Sequence, residues 1–350
     1  MIKRLKSGTG TGIIIILAVS VLLLILLIFI LSDTPLRALY FYFCGPFRNI
    51  FSFGNMLNAA VPLIFGALGV IIAFKAGSLN LGGEGQVYLS AFFTVAAALS
   101  LSHLGFFGAI IAVAAGAFSA SLLAALSGFL KAKWNTNELI TTFLISCAVI
   151  PVINYLVTGP FFDPETSLLS TKKIAENMQL PLILKPSGLS AAVYIALVFV
   201  FIVYFFLNKT KMGYEFRIMG KNEMFARYGG INTKLNTVLA LTISGFLYGL
   251  AGSISVLGTH HVVIKEFSAG FGWSGLTVAL IANFSPAAVI PCALFLAWLN
   301  AGARIAMQNT GLTFEVAYIV QAVVFFLSTS LVIKNIFVRA RSIISNGRDG

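Results

Sequence analysis

The feature that most limits what this chain can become is a recurrence of apolar runs of about 20 residues, the length that crosses roughly 30 Å of bilayer hydrocarbon. Such runs lie near 12–32, 57–74, 105–130, 139–158, 189–207, 236–258 and 314–334. Shorter apolar stretches at 86–101, 275–284 and 286–303 are interrupted by Gly-rich or Pro-containing segments. They read as three further short or broken helices, for a working total of ten. The expected fold is all-α and polytopic, with a transmembrane domain over 12–335 flanked by short ends at 1–11 and 336–350. Composition agrees: only 10% of the 350 residues are charged and 59% are hydrophobic, whereas a soluble chain carries about 25% charged residues to cover itself in water. Lipid must cover the remainder.

The formal net charge of +12 would point to nucleic acid in a soluble protein, so its placement along the chain decides its meaning. With a cytoplasmic N-terminus, the inside segments carry Lys3, Arg4, Lys6, Lys75, Lys131, Lys133, six residues within 208–236, Lys334, Arg339, Arg341 and Arg348. The outside segments carry Arg37, Arg48, Lys172, Lys173, Lys185, Lys265 and Arg304. This split of 16 against 7 is the bias of the positive-inside rule. It places both termini in the cytoplasm and makes the excess charge a topology signal, with no nucleic-acid partner. The start resembles a signal peptide, but its apolar run is too long and no Ala-x-Ala pattern follows, so it is kept as an anchor. The Pro-rich loop 159–188 falls outside, with room for a short surface helix, and 208–236 is the largest inside segment.

Enzymatic and cofactor chemistry find little support. Cys44, Cys147 and Cys292 are far apart in apolar surroundings, which argues against a disulfide framework or a zinc site. Gly270-x-Gly272-x-x-Gly275 matches a dinucleotide fingerprint in letters alone, because no strand precedes it. Gly220-Lys221 resembles the end of a phosphate-binding loop, yet Glu215 stands at the first glycine position and Asn222 replaces the Ser/Thr. His260 and His261 have no carboxylate at metal-ligand spacing, and an interfacial role suits them better. The chain is expected to be no enzyme, with no cofactor and no metal.

Three segments carry more information. In Lys75-Ala76-Gly77-Ser78-Leu79-Asn80-Leu81-Gly82-Gly83-Glu84-Gly85-Gln86, a carboxylate and two carboxamides sit among glycines between apolar runs. Polar groups at membrane depth are costly unless they face a cavity or protein interior, and broken helices at depth make polar sites for solutes. Asn80, Glu84 and Gln86 are therefore candidate pathway residues, the alternative being a cytoplasmic loop whose glycines turn the chain. A second Gly-rich break, 268–275, contains Phe271 and Trp273, which suit either stacking on a flat solute or an interfacial aromatic belt. In the inside loop, 222–228 reads as a short helix with Asn222 as its N-cap and Gly229-Gly230 as its stop. Its Met224, Phe225 and Tyr228 suit a groove on a partner protein.

At these places the chain resembles the permease subunits of bacterial ABC importers, in the branched ribose-type and nucleoside-type family, over about 55–335. Leu79-Asn80-Leu81-Gly82-Gly83-Glu84-Gly85-Gln86 resembles the family's Phe-Asn-Ile-Gly-x-Glu-Gly-Gln signature, with Leu79 and Leu81 replacing Phe and Ile. Gly220-Lys221-Asn222 through Gly230-Ile231 resembles its coupling loop, with Glu223 where proline is usual. Asn137-Glu138-Leu139-Ile140-Thr141-Thr142, Ser244-Gly245 with Gly249-Leu250-Ala251-Gly252, and Gly270-Phe271-Gly272-Trp273-Ser274-Gly275 resemble further elements, the first and last of the nucleoside-type branch. The resemblance implies docking on a cytoplasmic ABC ATPase through Asn222, Met224, Phe225, Ala226, Arg227, Tyr228 and Gly230. It also implies a second related permease subunit in a heterodimeric pore, a periplasmic or lipid-anchored solute-binding protein, and a bacterial inner-membrane location. The expected solute is a purine nucleoside or riboflavin, since permeases for both resemble this branch. The alternatives are a ribose-type sugar permease, a stand-alone secondary transporter and an intramembrane enzyme.

Overall fold

The computed structural model describes residues 18–329 apart from 20, 269, 312, 314, 317 and 328. The expected segments 1–11 and 336–350, and the outer parts of the runs at 12–32 and 314–334, lie outside the described residues. The described chain is built almost wholly of helices. They are α1 (Val21–Leu31), α2 (Pro35–Cys44), α3 (Ile50–Lys75), α4 (Gly83–Ser100), α5 (Gly105–Trp134) and α6 (Glu138–Thr158). After a long connection come α7 (Ala192–Lys209), α8 (Lys211–Met219), α9 (Glu223–Tyr228), α10 (Thr233–Ser255), α11 (Phe271–Ile281) and α12 (Val289–Thr310), then α13 (Tyr318–Leu327). Among the described residues, six helical stretches are long and apolar enough to cross a membrane: Ile50–Lys75, Ser102–Trp134, Glu138–Thr158, Ala192–Lys209, Thr233–His260 and Pro286–Thr310. The chain is an all-α, multi-pass membrane protein.

Burial separates inner from outer helices. The apolar windows of α3 and α10 are 78% and 72% buried inside the protein, against 22% and 28% for α6 and α7. The first pair forms the centre and the second faces outward, where lipid replaces protein as the apolar neighbour. Lipid tails are as apolar as leucine, so close van der Waals fit holds membrane helices together, and small residues permit it. The seam between α5 and α10 follows that rule. A Cβ on Gly245 would come 2.5 Å from Ala124 Cβ, and one on Gly249 would come 2.7 Å from Ala117 Cα. On the next face of α10, a Cβ on Gly252 would meet Ser90 Oγ at 2.1 Å and the Val87 carbonyl oxygen at 2.3 Å. The α4 backbone therefore rests directly on α10.

Local signals set the helix starts. Asn49, Asn137, Thr210, Asn222 and Asn232 each accept a hydrogen bond from a first-turn amide of the helix that follows, which satisfies donors that have no partner inside the helix. Two helices escape the hydropathy reading. The ten residues of α2 are too short to span, and α8 is amphipathic, burying Phe216 and Met219 while Lys211 and Tyr214 stay exposed. The loop 159–188 contains no surface α-helix. It holds a 3₁₀ turn at Glu176–Met178 and leads into an antiparallel pair, β1 (Leu182–Leu184) with β2 (Leu189–Ser190).

That connection is stitched to the segment after α10. The last turn of α10 widens into a π-helical turn over Val256–His260. The amides of Leu180, Ile174 and Thr171 donate to the carbonyls of Leu257, His261 and Val263, each at 3.0 Å. The end of α10 and the segment that follows it thereby obtain backbone partners from the connection. Gly252→Val should force α4 and α10 apart at an overpacking cost of about 1–3 kcal/mol. A lower melting temperature and a smaller monodisperse fraction in detergent are expected, and an unchanged melting profile would show that α4 does not rest on α10 there.

Candidate functional site

The break between α3 and α4 is ordered by side chains. Asn80 Nδ2 donates to Gln86 Oε1 at 2.8 Å and to Ser244 Oγ at 3.0 Å, while Asn80 Oδ1 accepts from Gln86 Nε2 at 3.0 Å and from the Gly82 amide at 2.9 Å. Asn80 and Gln86 are each only 1% exposed. Two carboxamides thus satisfy each other and pin the non-helical chain to α10. The neighbouring amides of Leu81 and Gly85 donate to Thr142 Oγ1 at 3.1 Å and Ser146 Oγ at 2.7 Å, both on α6. At the other end of the break, Lys131 reaches Ser78 Oγ at 3.2 Å and pairs with Glu138 at 2.8 Å.

Glu84 turns away from this network. Its Oε1 accepts from the Gly272 amide at 2.9 Å and the Trp273 amide at 3.4 Å, the first-turn donors of α11. A carboxylate on a helix N-terminus satisfies unpaired N–H groups and complements the helix dipole, worth up to about 2 kcal/mol when partly buried. The two helix starts touch: a Cβ on Gly83 would lie 2.9 Å from Gly272 Cα and 2.6 Å from the Tyr248 ring, and one on Gly272 would lie 2.6 Å from the Glu84 amide nitrogen. One turn on, Gly275 packs on Gly66 of α3 with 3.0 Å left for a side chain. Only glycine allows this crossing.

The depth of the junction follows from α10. Asn236 bonds Glu215 of α8 at 2.9 Å, Ser244 bonds Asn80, and Tyr248 meets Gly83. At about 1.5 Å per residue, the junction stands roughly 18 Å above Asn236 on a helix that continues for roughly 18 Å more to His260. It lies near the middle of the span. From there α4 runs with α10 toward the 159–191 connection, Thr94 and Ser253 bonding at 2.8 Å. The other half-helix, α11, runs the opposite way to the Lys75 end, where Phe284 stacks on Phe74 with ring centroids 3.5 Å apart. To start α11 at mid-depth the chain must re-enter after α10, and Tyr88 guides it: its hydroxyl donates to Asn154 Oδ1 at 2.7 Å and accepts from the Glu266 amide at 3.2 Å.

The two Gly-rich breaks marked in the sequence therefore meet at one place. A small cavity there is lined by Asn80, Leu81, Glu84, Tyr248, Trp273 and Leu276, among others. Trp273 is 42% exposed, whereas Phe271 is half-buried and packs toward Phe267 at 6.2 Å. The α9 residues lie elsewhere, beside the Lys75 end. Asn222 Oδ1 accepts from the Phe225 amide at 2.9 Å, Ala226 is fully buried, and Met224, Phe225 and Tyr228 are 68%, 65% and 87% exposed. Arg227 forms an exposed i,i+4 pair with Glu223, and Gly230 closes the turn at φ +79°. Sequence reasoning gave Lys131, Thr142, Ser146, Ser244 and Tyr248 no place in the site, Lys131 serving only as an inside charge. The signal for three of them was present, since Thr142 and Ser244 lie in the family-like elements and Ser146 follows Thr142 by one turn.

Two helices thus start at mid-depth around a carboxylate, an arrangement that solute-conducting membrane components use. The model of the family described as "branched-chain amino acid transport system / permease component" matches residues 52–329, and the chain belongs to that family. It is 33% identical to a probable riboflavin import permease of Treponema pallidum over 85% of this chain and 79% of the relative. It is 29% identical to a guanosine ABC transporter permease of Bacillus subtilis, covering 83% and 84%, and 29% identical to a glucose ABC transporter permease of Haloferax volcanii, covering 86% and 82%. No solved structure matches.

Each lost acceptor at the junction leaves buried donors unsatisfied, at about 1–3 kcal/mol apiece. Glu84→Gln keeps an oxygen for the Gly272 amide and should melt closer to the parent than Glu84→Ala, while Asn80→Ala should be the least stable of the three. Thermal unfolding of the detergent-solubilised protein checks this order. Equal stability of Glu84→Gln and Glu84→Ala would show that the acceptor is unimportant.

Proposed function

We propose that this chain is one membrane subunit of a bacterial inner-membrane ABC importer and that it carries a flat, neutral, hydrogen-bonding heterocycle bearing a sugar or polyol. In this reading both termini are cytoplasmic and 12–335 forms half of a translocation pore completed by a second, related permease. A cytoplasmic ATPase docks on 213–231, and a solute-binding protein delivers the solute to the face that carries 159–188. The observation that carries the reading is the meeting of α4 and α11 around Glu84, with Trp273 exposed beside it. Half-helix ends at depth are where transport proteins hold solutes, and the exposed indole offers a flat face for a heterocycle. Asn80 and Gln86 shape the site from beneath, and Glu84 and Trp273 border the path.

Riboflavin and guanosine, the solutes in the names of two relatives, share a flat hydrogen-bonding ring and a polyhydroxylated chain or sugar. A simple sugar is the second reading, favoured by the likeness to the glucose permease. Ligand binding to the transporter's solute-binding protein, together with uptake of labelled guanosine, riboflavin and glucose, separates them. Saturable uptake of a ring-bearing solute with glucose inert is the expected result, and the reverse selects the sugar.

Three exposed apolar side chains outside the bilayer favour a partner, because burying each is worth roughly 1.5–3 kcal/mol. Phe225→Asp with Tyr228→Asp should leave solute capture by the binding protein intact, reduce ATPase co-purification several-fold and stop uptake. Continued transport would reduce the segment to a topology signal. Leu5→Cys and Ser345→Cys should both resist impermeant thiol reagents in intact cells, and labelling of either would overturn the orientation.

A further inference from the structure

The α9 dock and the Glu84 junction are far apart on the chain, and one backbone contact joins the elements that carry them. Gly220, at the turn between α8 and α9, packs on the first residues of the break: a Cβ there would lie 2.3 Å from the Lys75 carbonyl oxygen and 3.0 Å from the Gly77 amide nitrogen. In the other direction, a Cβ on Gly77 would lie 3.1 Å from Gly220 Cα. Gly77 also stands at φ +76°, where a side chain is strained. We propose that the contact between Gly220 and Gly77 is where movement of the docked segment enters the membrane core, which makes both glycines positioning residues for the Glu84 site. The proposal rests on the reading of α9 as the ATPase dock.

Both sides of the contact are stiff. From α8 to α10 the chain is bonded nearly without gaps: the Gly220 amide donates to Phe216, those of Lys221 and Asn222 to Ile218, that of Ala226 to Asn222 and that of Ile231 to Ala226. The buried Ala226 seats α9 on this frame. A push on Met224, Phe225 or Tyr228 therefore moves Gly220 with it. Across the contact, the amides of Ala76, Gly77 and Ser78 are bonded back to the end of α3, and Ser78 is held by Lys131. Gly77 and Asn80 are three positions apart with only Ser78 and Leu79 between them, a stretch of at most about 10 Å when extended. Little slack remains to absorb a displacement before it reaches the Asn80–Gln86–Ser244 network and, three residues after Asn80, the α4 start that carries Glu84.

Room for such a displacement exists. A cavity of about 170 Å³ lies beside the contact, lined by Gly77, Lys131, Met219, Gly220, Asn222 and Thr237 among others. The joint is tight where force crosses it and open alongside. A bulky side chain at either glycine would keep the surfaces apart and let the docked segment move without the break.

The test uses the assembled transporter, with ATPase and partner permease, and has two arms. In the first, hydrogen–deuterium exchange of the parent over 77–82 is compared in the nucleotide-free and ADP-vanadate-trapped states, and a difference is expected. In the second, Gly220→Ala should assemble and hydrolyse ATP like the parent while uptake falls by roughly tenfold or more, the size of a lost coupling between sites, and the exchange difference disappears. Lys211→Ala, on the exposed first turn of α8, should behave like the parent. Unchanged exchange over 77–82 in the parent would overturn the proposal whether or not any variant folds. So would normal uptake by Gly220→Ala, or loss of the ATPase from that variant, which would make the contact part of assembly. Uptake by the parent that does not depend on ATP hydrolysis would instead overturn the importer reading.

Discussion

The hydrogen bonds from the Gly272 and Trp273 amides to Glu84 are the interaction on which the rest of this arrangement depends. A helix that starts in the middle of an apolar bundle leaves N–H groups that water cannot reach, and each costs several kcal/mol in a hydrocarbon setting unless a protein acceptor meets it. Without Glu84, α11 would have no tolerable place to begin at that depth. Without α11 beginning there, the chain after α10 would have no reason to fold back inward and to be held by Tyr88 and the 159–191 connection. The carboxylate in turn needs the helix start, because a charge among apolar side chains is tolerated only where donors face it. Each half of the junction removes the other's cost.

Glycine makes that exchange possible. Gly83 and Gly272 let the two starts approach until the donors of one helix reach a side chain on the first turn of the other. Gly66 with Gly275 brings α11 onto α3, and Gly252 against Ser90 and Val87 brings α4 onto α10. Small residues in membrane helices usually serve close packing alone. Here they also deliver polar groups to the middle of the protein, so the glycine content supports both cohesion and chemistry.

The sequence made some of this legible and hid the rest for identifiable reasons. The long helices follow from hydropathy because lipid imposes length and composition on any segment that spans it. The break at 76–82 and the capped helix at 223–228 follow from local chemistry: glycines beside polar side chains in the first case, Asn222 and Gly229-Gly230 in the second. α2 was invisible because hydropathy detects spans and it is too short to be one. α8 left a trace in Met212, Phe216 and Met219, apolar residues four and three apart, masked by the charges between them. The junction itself was not legible. Both breaks were marked, but hydropathy and periodicity carry no information about which elements meet. The partnership of Glu84 with Gly272 is a property of the fold.

That limit also bears on how such a protein can work. A site whose polar groups all came from one continuous segment could be rearranged only by unfolding that segment. Here the polar groups belong to two helix starts that approach from opposite sides of the membrane and touch through glycine backbones. Relative displacement of the starts changes the site while each helix keeps its internal hydrogen bonds. The Asn80–Gln86 pair serves the same end, since it fixes the shape of the break independently of Glu84. Movement at the junction is thereby confined to one carboxylate and two amides, and the starts can shift without either helix exposing its backbone to lipid.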